Sequence, residues 1–196
     1  RDLVMTALDN GKHVVTANKA LIAEHGMEIF AHAEKCNLIV AYEAAVAGGI
    51  PIIKGLREGL AGNRINWMAG IINGTTNFIL SEMDSKGRKF SDVLTEAQEK
   101  GYAEADPTFD VEGIDAAHKL VIMASLAFAI PLDSRKVFTD GITKLDPQDV
   151  ANAREMGYAV KHLGIARQTD KGVELRVHPT LVPKNCLIAG VDDVLN

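Results

Sequence analysis

Two short apolar segments separated by a helix-length stretch dictate the topology of the first part of this chain. His13-Val14-Val15-Thr16-Ala17 and Leu38-Ile39-Val40-Ala41-Tyr42 are both rich in β-favouring residues. Between them Asn18 is placed to cap a helix that runs to about Lys35, with Gly26 as a point where it could break. A connection of that length is no hairpin. It requires parallel strands and a right-handed crossover, so this part of the chain is α/β.

After Gly48-Gly49 the pattern changes. Pro51 is set to open a helix with Ile52, Ile53, Leu56 and Leu60 at helical spacing as far as Gly62. Residues 65–72 then read as a strand, Asn73-Gly74-Thr75-Thr76-Asn77 as a turn, and 78–84 as a helix. Ser91 is placed to cap a further helix that stops at Lys100-Gly101, a cation followed by glycine. A loop over 102–109 leads into a long helix ending before Pro131. Asp146-Pro147-Gln148-Asp149 opens another, with cap, proline and first-turn acid in order. Finally 158–167 and 173–182 read as strands joined through Asp170-Lys171-Gly172. The expected class is α/β (α+β): a β-α-β unit, then a mainly antiparallel sheet covered by helices.

Charge and composition narrow the function classes. The formal net charge is −5 and the basic residues are scattered, unlike the clustered footprint of a nucleic-acid binder. With 47% hydrophobic and 24% charged residues, disorder is not expected. The longest apolar run, 120–130, has eleven residues interrupted by Ser125, whereas a membrane span needs about twenty; a buried core helix is expected. The start lacks the apolar core and cleavage site of a secretory signal. Cys36 and Cys186 are far apart with no paired spacing, which fits a reducing cytoplasm and argues against a disulfide scaffold or structural zinc. The amphipathic setting of Cys36, beside Phe30 and Ala33, predicts a buried small hydrophobe.

The most informative stretch is Gly101-Tyr102-Ala103-Glu104-Ala105-Asp106-Pro107-Thr108-Phe109-Asp110-Val111-Glu112-Gly113-Ile114-Asp115-Ala116-Ala117-His118-Lys119. It packs five carboxylates into twelve residues and then sets a lysine at the edge of an apolar helix. Asp115 and Lys119 are four apart and share a helix face. Removing such charges from water is costly unless they are paired or used, and an apolar setting favours a lysine that exchanges protons. Spacing alone does not separate this from an ordinary surface ion pair and a capping loop.

The same residues resemble a family signature. Ala97, Gly101-Tyr102-Ala103, Asp106-Pro107, Asp110-Val111, Gly113, Asp115 and Lys119 together resemble that of the homoserine dehydrogenases. Three more segments extend the likeness over nearly the whole chain, in order. Val15-Thr16-Ala17-Asn18-Lys19-Ala20-Leu21 is similar to the family's "TANK" segment. Glu43-Ala44-Ala45-Val46-Ala47-Gly48-Gly49-Ile50-Pro51-Ile52 resembles its glycine-rich domain junction, and Gly70-Ile71-Ile72-Asn73-Gly74-Thr75-Thr76-Asn77 its substrate-side turn.

The resemblance implies an oxidoreductase that reduces L-aspartate 4-semialdehyde to L-homoserine with NADPH or NADH, on the route to threonine, methionine and isoleucine. It implies Lys119 as the proton donor in reduction, with Lys19 near nicotinamide and substrate. Glu104 and Asp115 would bind the substrate's α-ammonium with Asp110 in support, and Gly74, Thr75 and Tyr102 would line the pocket. Glu43, Val46, Gly48 and Ile50 match positions where main-chain oxygens hold a monovalent cation, usually sodium. It further implies a cytoplasmic homodimer with no membrane or nucleic-acid partner. The implied domains are a remnant of a Rossmann-type NAD(P)-binding domain over 1–49 and a catalytic, substrate-binding and dimerisation domain over 50–196. The phosphate-binding G-x-G-x-x-G turn and the family's later glycine-rich cofactor loop are not in the sequence. The chain is therefore expected to be truncated at both ends and inactive alone.

Two other classes compete. A non-catalytic amino-acid-binding module would keep the acidic pocket, yet would have no use for Lys19 and Lys119 beside an ammonium. An aldehyde dehydrogenase of the semialdehyde type needs a nucleophilic cysteine next to a base, and neither cysteine has that setting.

Overall fold

A computed structural model describes residues 1–192 of the chain; the end of the expected second domain, 193–196, lies outside the described residues. The chain groups into two compact units. The first takes Arg1–Trp67, His118–Val137 and Arg167–Glu174, and the second takes Met68–Ala117, Phe138–Ala166 and the chain from Leu175.

In the first unit, α1 (Asp2–Asp9) precedes β1 (Val14–Val15), α2 (Lys19–Lys35) and β2 (Val40–Ala41). β1 and β2 pair in parallel, Val14 opposite Val40 and Val15 opposite Ala41. Asn18 Oδ1 accepts from the Leu21 amide at 3.0 Å, the expected cap. The helix runs through Gly26 without a break. A Cβ there would lie 2.6 Å from Leu132 Cδ1, so glycine serves close packing rather than a kink. Leu8, Ile29, Ala33 and Val40 form the core, each large aliphatic contributing about 1.5–3 kcal/mol. Cys36, expected to be buried, is exposed. The helix ends at Lys35 and Asn37 takes φ +55°, so the buried stripe stops before reaching it.

A 3-10 turn over Glu43–Ala45 follows β2, and Pro51 precedes α3 (Ile52–Lys54). In place of one helix to Gly62, the pitch widens to a π turn over Gly55–Gly59, bounded by two weak helix formers.

The remaining elements are β3 (Trp67–Gly70), α4 (Gly74–Lys86), α5 (Phe90–Glu99), α6 (Thr108–Val111), α7 (Ile114–Phe128), β4 (Phe138–Thr139), α8 (Pro147–Glu155), β5 (Tyr158–Thr169) and β6 (Gly172–Pro183). Strand order is β3-β5-β6-β4. The tight turn between β5 and β6 makes that central pair antiparallel, whereas β4 lies parallel to β6 with Phe138 opposite Arg176. This is the expected α/β class, with α4, α5 and α8 on a second-unit core of Ile79, Leu80, Met83, Val93, Ile142 and Val150.

Three local expectations change. The 73–77 turn is the start of α4, with Asn73 as its cap. Ser91 lies inside α5 instead of capping it, because Phe90, packed on the core, begins the helix. The acidic loop holds the short helix α6 before α7. As expected, Asp146 forms a complete capping box with Asp149 on α8, and Leu120, Val121, Ile122 and Ala124 of α7 are at most 1% exposed. Among the described residues, no helix is long and apolar enough to cross a membrane.

Candidate active site

In the second unit the acidic signature is organised by Asn73, whose local sequence predicts only a turn. Asn73 is buried at the start of α4, and its side chain works at both ends. Oδ1 accepts from the Thr76 amide at 2.8 Å, satisfying one of the unpaired N–H groups of the first helical turn. That bond fixes which way the amide points. The two N–H groups of Nδ2 then donate to Asp110 Oδ1 at 2.7 Å and Asp115 Oδ2 at 2.9 Å.

Asp110 and Asp115 converge because the backbone breaks between them. In a continuous helix, residues five apart point about 140° away from each other. Here α6 ends at Val111, Gly113 takes φ +82°, and α7 restarts at Ile114. Asp110 thus sits at the end of one helix and Asp115 in the first turn of the next. Asp115 is buried and Asp110 half-buried. Asn73 carries no charge, so it orients the two carboxylates without neutralising them, and an ammonium group is the complement of such a pair. Asp115 also stands in the first helical turn, where the macrodipole favours an anion.

Neighbouring residues frame the cluster. Gly74 is the first residue of α4. The Thr75 hydroxyl donates to the Tyr102 carbonyl at 2.7 Å, which ties α4 to the start of the acidic segment. The Tyr102 ring meets Phe78 edge-on at 5.2 Å between centroids. Glu104 is exposed, and its main chain is held by Gln98, whose Nε2 donates to the carbonyls of Glu104 (3.1 Å) and Ala105 (3.3 Å). Asp110 and Asp115 are thus brought together, Thr75 and Tyr102 are joined, and Glu104 stays outside the Asn73 hydrogen bonds. Lys119 is half-buried on α7, one turn after Asp115.

In the first unit, half-buried Lys19 is the first residue of α2, just after the carboxyl end of β1. Open parallel sheets bind ligands at that end of their strands. The Glu43 carboxylate is used as a cap: Oε1 accepts from the Ile53 amide at 2.8 Å and Oε2 from the Lys54 amide at 2.9 Å. The following turn carries two left-handed residues, Ala47 at φ +48° and Gly49 at φ +85°. Among the described residues its internal bonds use the carbonyls of Glu43, Ala47 and Ile50, not those of Val46 or Gly48. Beside it, burial raises the Tyr42 phenol above its ordinary 10.0; Arg57 opposes that shift and Glu43 adds to it. Among the described residues no cluster of histidine, cysteine and acidic side chains has metal-binding geometry.

Asn73 was legible in principle, since asparagine directly before a helix-compatible run is a capping signal. Its second role was not, because its carboxylate partners lie 37 and 42 residues away.

Residues 51–196 match the homoserine dehydrogenase family model, and residues 1–43 match the homoserine dehydrogenase NAD binding domain. A homoserine dehydrogenase from Pseudomonas aeruginosa is 68% identical over 195 residues, a match covering 100% of this chain and 45% of that protein. The crystal structure of a homoserine dehydrogenase from Thiobacillus denitrificans superposes with a TM-score of 0.97 at 63% identity, over 99% of this chain and 45% of that one. A hyperthermophilic archaeal homoserine dehydrogenase in complex with NADPH gives a TM-score of 0.83 at 28% identity, covering 98% of this chain and 55% of that one. The chain thus spans about half the length of the relatives it matches.

Proposed function

Because this chain belongs to the homoserine dehydrogenase family, we propose that the protein carrying it reduces L-aspartate 4-semialdehyde to L-homoserine with NADPH or NADH. The observation that carries this reading is the convergence of Asp110 and Asp115 on Asn73, one helical turn before Lys119. Residues four apart on a helix are separated by a rise of about 6 Å. That spacing lets one helix face serve both the α-ammonium of a four-carbon substrate and its aldehyde two carbons further on.

Asp115 and Asp110 receive the α-ammonium, with Glu104 closing over it from the exposed segment. Gly74, Thr75 and Tyr102 line the same pocket. The bound nicotinamide supplies hydride to the aldehyde carbon. Lys119 stabilises the negative charge that grows on the oxygen and gives it a proton, and it takes the proton back in the reverse direction. Lys19, after the carboxyl end of β1, is the second lysine of this mechanism, assigned to the nicotinamide side. The NADPH complex of the archaeal relative and the match to an NAD binding domain support the cofactor.

The Glu43–Ile50 turn fits a monovalent cation such as sodium: Val46 and Gly48 offer carbonyls that the turn does not use, with Glu43 and Ile50 as the other positions of that site. Residues 1–49 then form part of the cofactor-binding domain, and the rest forms the catalytic and dimerisation domain of a cytoplasmic homodimer. Its product feeds threonine, methionine and isoleucine synthesis. The two separate family matches, over 1–43 and 51–196, support that division.

The test is NADPH oxidation with aspartate 4-semialdehyde in the full-length protein. Lys119→Ala is expected to lower kcat by about 10²–10⁴-fold. Turnover close to wild type would remove Lys119 from the mechanism and favour a pocket that only binds amino acids.

A further inference from the structure

The kink that brings Asp110 and Asp115 together is held from behind. Gly113 sits at its apex, and a Cβ there would lie 3.0 Å from His162 Cε1, 3.0 Å from Val177 Cγ1 and 3.1 Å from Thr139 Cγ2. The segment after β4 lies against the same turn. Ile142 N–H donates to the Val111 carbonyl at 2.9 Å, and the Thr143 hydroxyl donates to Glu112 Oε1 at 2.8 Å. Just before them Gly141 is buried so closely that a Cβ would stand 2.6 Å from the Val111 carbonyl oxygen and 2.8 Å from Glu112 Cα. The segment is itself anchored, since Asp140 N–H donates to the Val177 carbonyl at 2.8 Å and the Asp140 carbonyl accepts from His162 Nε2 at 3.0 Å.

His162 is suited to a fixed role. It is buried, and Nε2 carries the proton that the Asp140 carbonyl requires. Nδ1 has no hydrogen-bond partner among the described residues. A second proton at Nδ1 would be buried without an acceptor, so the ring is kept neutral.

From this geometry we propose that the 140–143 segment and His162 clamp the Val111–Gly113 turn and thereby set how Asp110 and Asp115 meet Asn73. The clamp rests on the reading of that cluster as the ammonium seat. Gly141, Thr143, Glu112 and His162 are positioning residues that touch no substrate. They hold a kink that would otherwise be free to open or straighten, since two short hydrogen bonds to one amide tolerate little displacement.

Gly141→Ala in the full-length protein is the direct test, because the added methyl meets backbone that must move. KM for the amino aldehyde is expected to rise about tenfold or more, with KM for NADPH nearly unchanged. A lower melting temperature and active fraction with both KM values at wild type would reduce the clamp to a packing feature and overturn the proposal. Thr143→Val, which removes one surface hydroxyl, keeps the test open if Gly141→Ala does not fold; its expected KM rise is about two- to threefold. Glu112→Gln retains the acceptor for Thr143 and is expected to rescue the KM defect of Glu112→Ala; equal KM in both variants counts against the clamp. If the wild-type protein shows no dehydrogenase activity, the functional reading fails on its own. The clamp is then judged by the side-chain amide NMR signals of Asn73. These shift in Gly141→Ala if it holds, and stay in place if it does not.

Discussion

Two regions of this chain solve the same local problem with opposite chemistry. In the first unit Glu43 spends both carboxylate oxygens on the amides of Ile53 and Lys54. The charge is consumed as a cap, and what the turn has left to offer is main-chain carbonyl oxygen. In the second unit the cap is Asn73, a neutral amide. Its carbonyl satisfies the helix and its N–H groups hold two carboxylates in place. The charges there are oriented by a neutral amide instead of being used up as the cap itself. Carbonyls alone suit a small hard cation, whereas paired carboxylates suit an ammonium that donates hydrogen bonds. Under the proposed function, which residue caps the helix decides which kind of cation each region is suited to.

Asp115→Asn strikes the contrast hardest, because it turns one of the two oriented carboxylates into a second neutral amide. A buried hydrogen bond to a charged group is worth about 1.5–3 kcal/mol, so KM for the amino aldehyde is expected to rise about 10- to 100-fold. The change is expected in KM more than in kcat, because Lys119 is left in place. Steady-state kinetics of the full-length protein reads both. An unchanged KM would mean that the carboxylate pair is structural and that the contrast between the two regions has no functional content.

The sequence made some of this legible and hid the rest for a physical reason. Local signals were sufficient wherever one residue acts on its near neighbours. Asn18 capping α2 and the Asp146 capping box on α8 are bonds across three residues or fewer. The length of α2 forced the parallel pairing of β1 with β2. The family signature brought Asp110 and Asp115 to attention, but not the way they meet. Asn73 read as a turn because its decisive bonds are long-range. Gly26 read as a breaker because Leu132, which needs the space, is more than a hundred residues away. Likewise, nothing within 138–139 announces a strand parallel to β6. Cys36 follows the last helical residue, Lys35, so the periodicity that predicts its burial no longer applies there.

Glu43→Gln tests the other half of the contrast with a smaller effect. Glutamine keeps one acceptor, so one of the two amides loses its partner. Loss of a helix cap typically costs about 1 kcal/mol, to be read from the denaturant midpoint at constant slope. If the turn holds the proposed cation and the cap shapes it, sodium binding measured by calorimetry is expected to weaken along with stability. Unchanged stability would show that the two bonds from Ile53 and Lys54 are not what holds this turn.

The smallest expected effect concerns pH, where the two regions should weaken on opposite sides of neutrality. Burial holds the His162 ring below its ordinary 6.5; His178 pushes the same way, while the Asp140 carbonyl bond and the charges of Asp140 and Glu112 oppose it. Below pH 6.5 the unfolded chain binds a proton that the folded ring refuses, so stability falls with pH there. Tyr42 is the mirror case. Its phenol is raised above 10.0, so above that pH the unfolded chain gives up a proton that the folded one keeps, and stability falls as pH rises. Denaturation of single variants across pH separates the two. His162→Gln should flatten the acid limb and leave the alkaline limb, and Tyr42→Phe should do the reverse. If both variants flattened the same limb, the two groups would not be titrating independently, and burial around each ring would not be the cause of its limb.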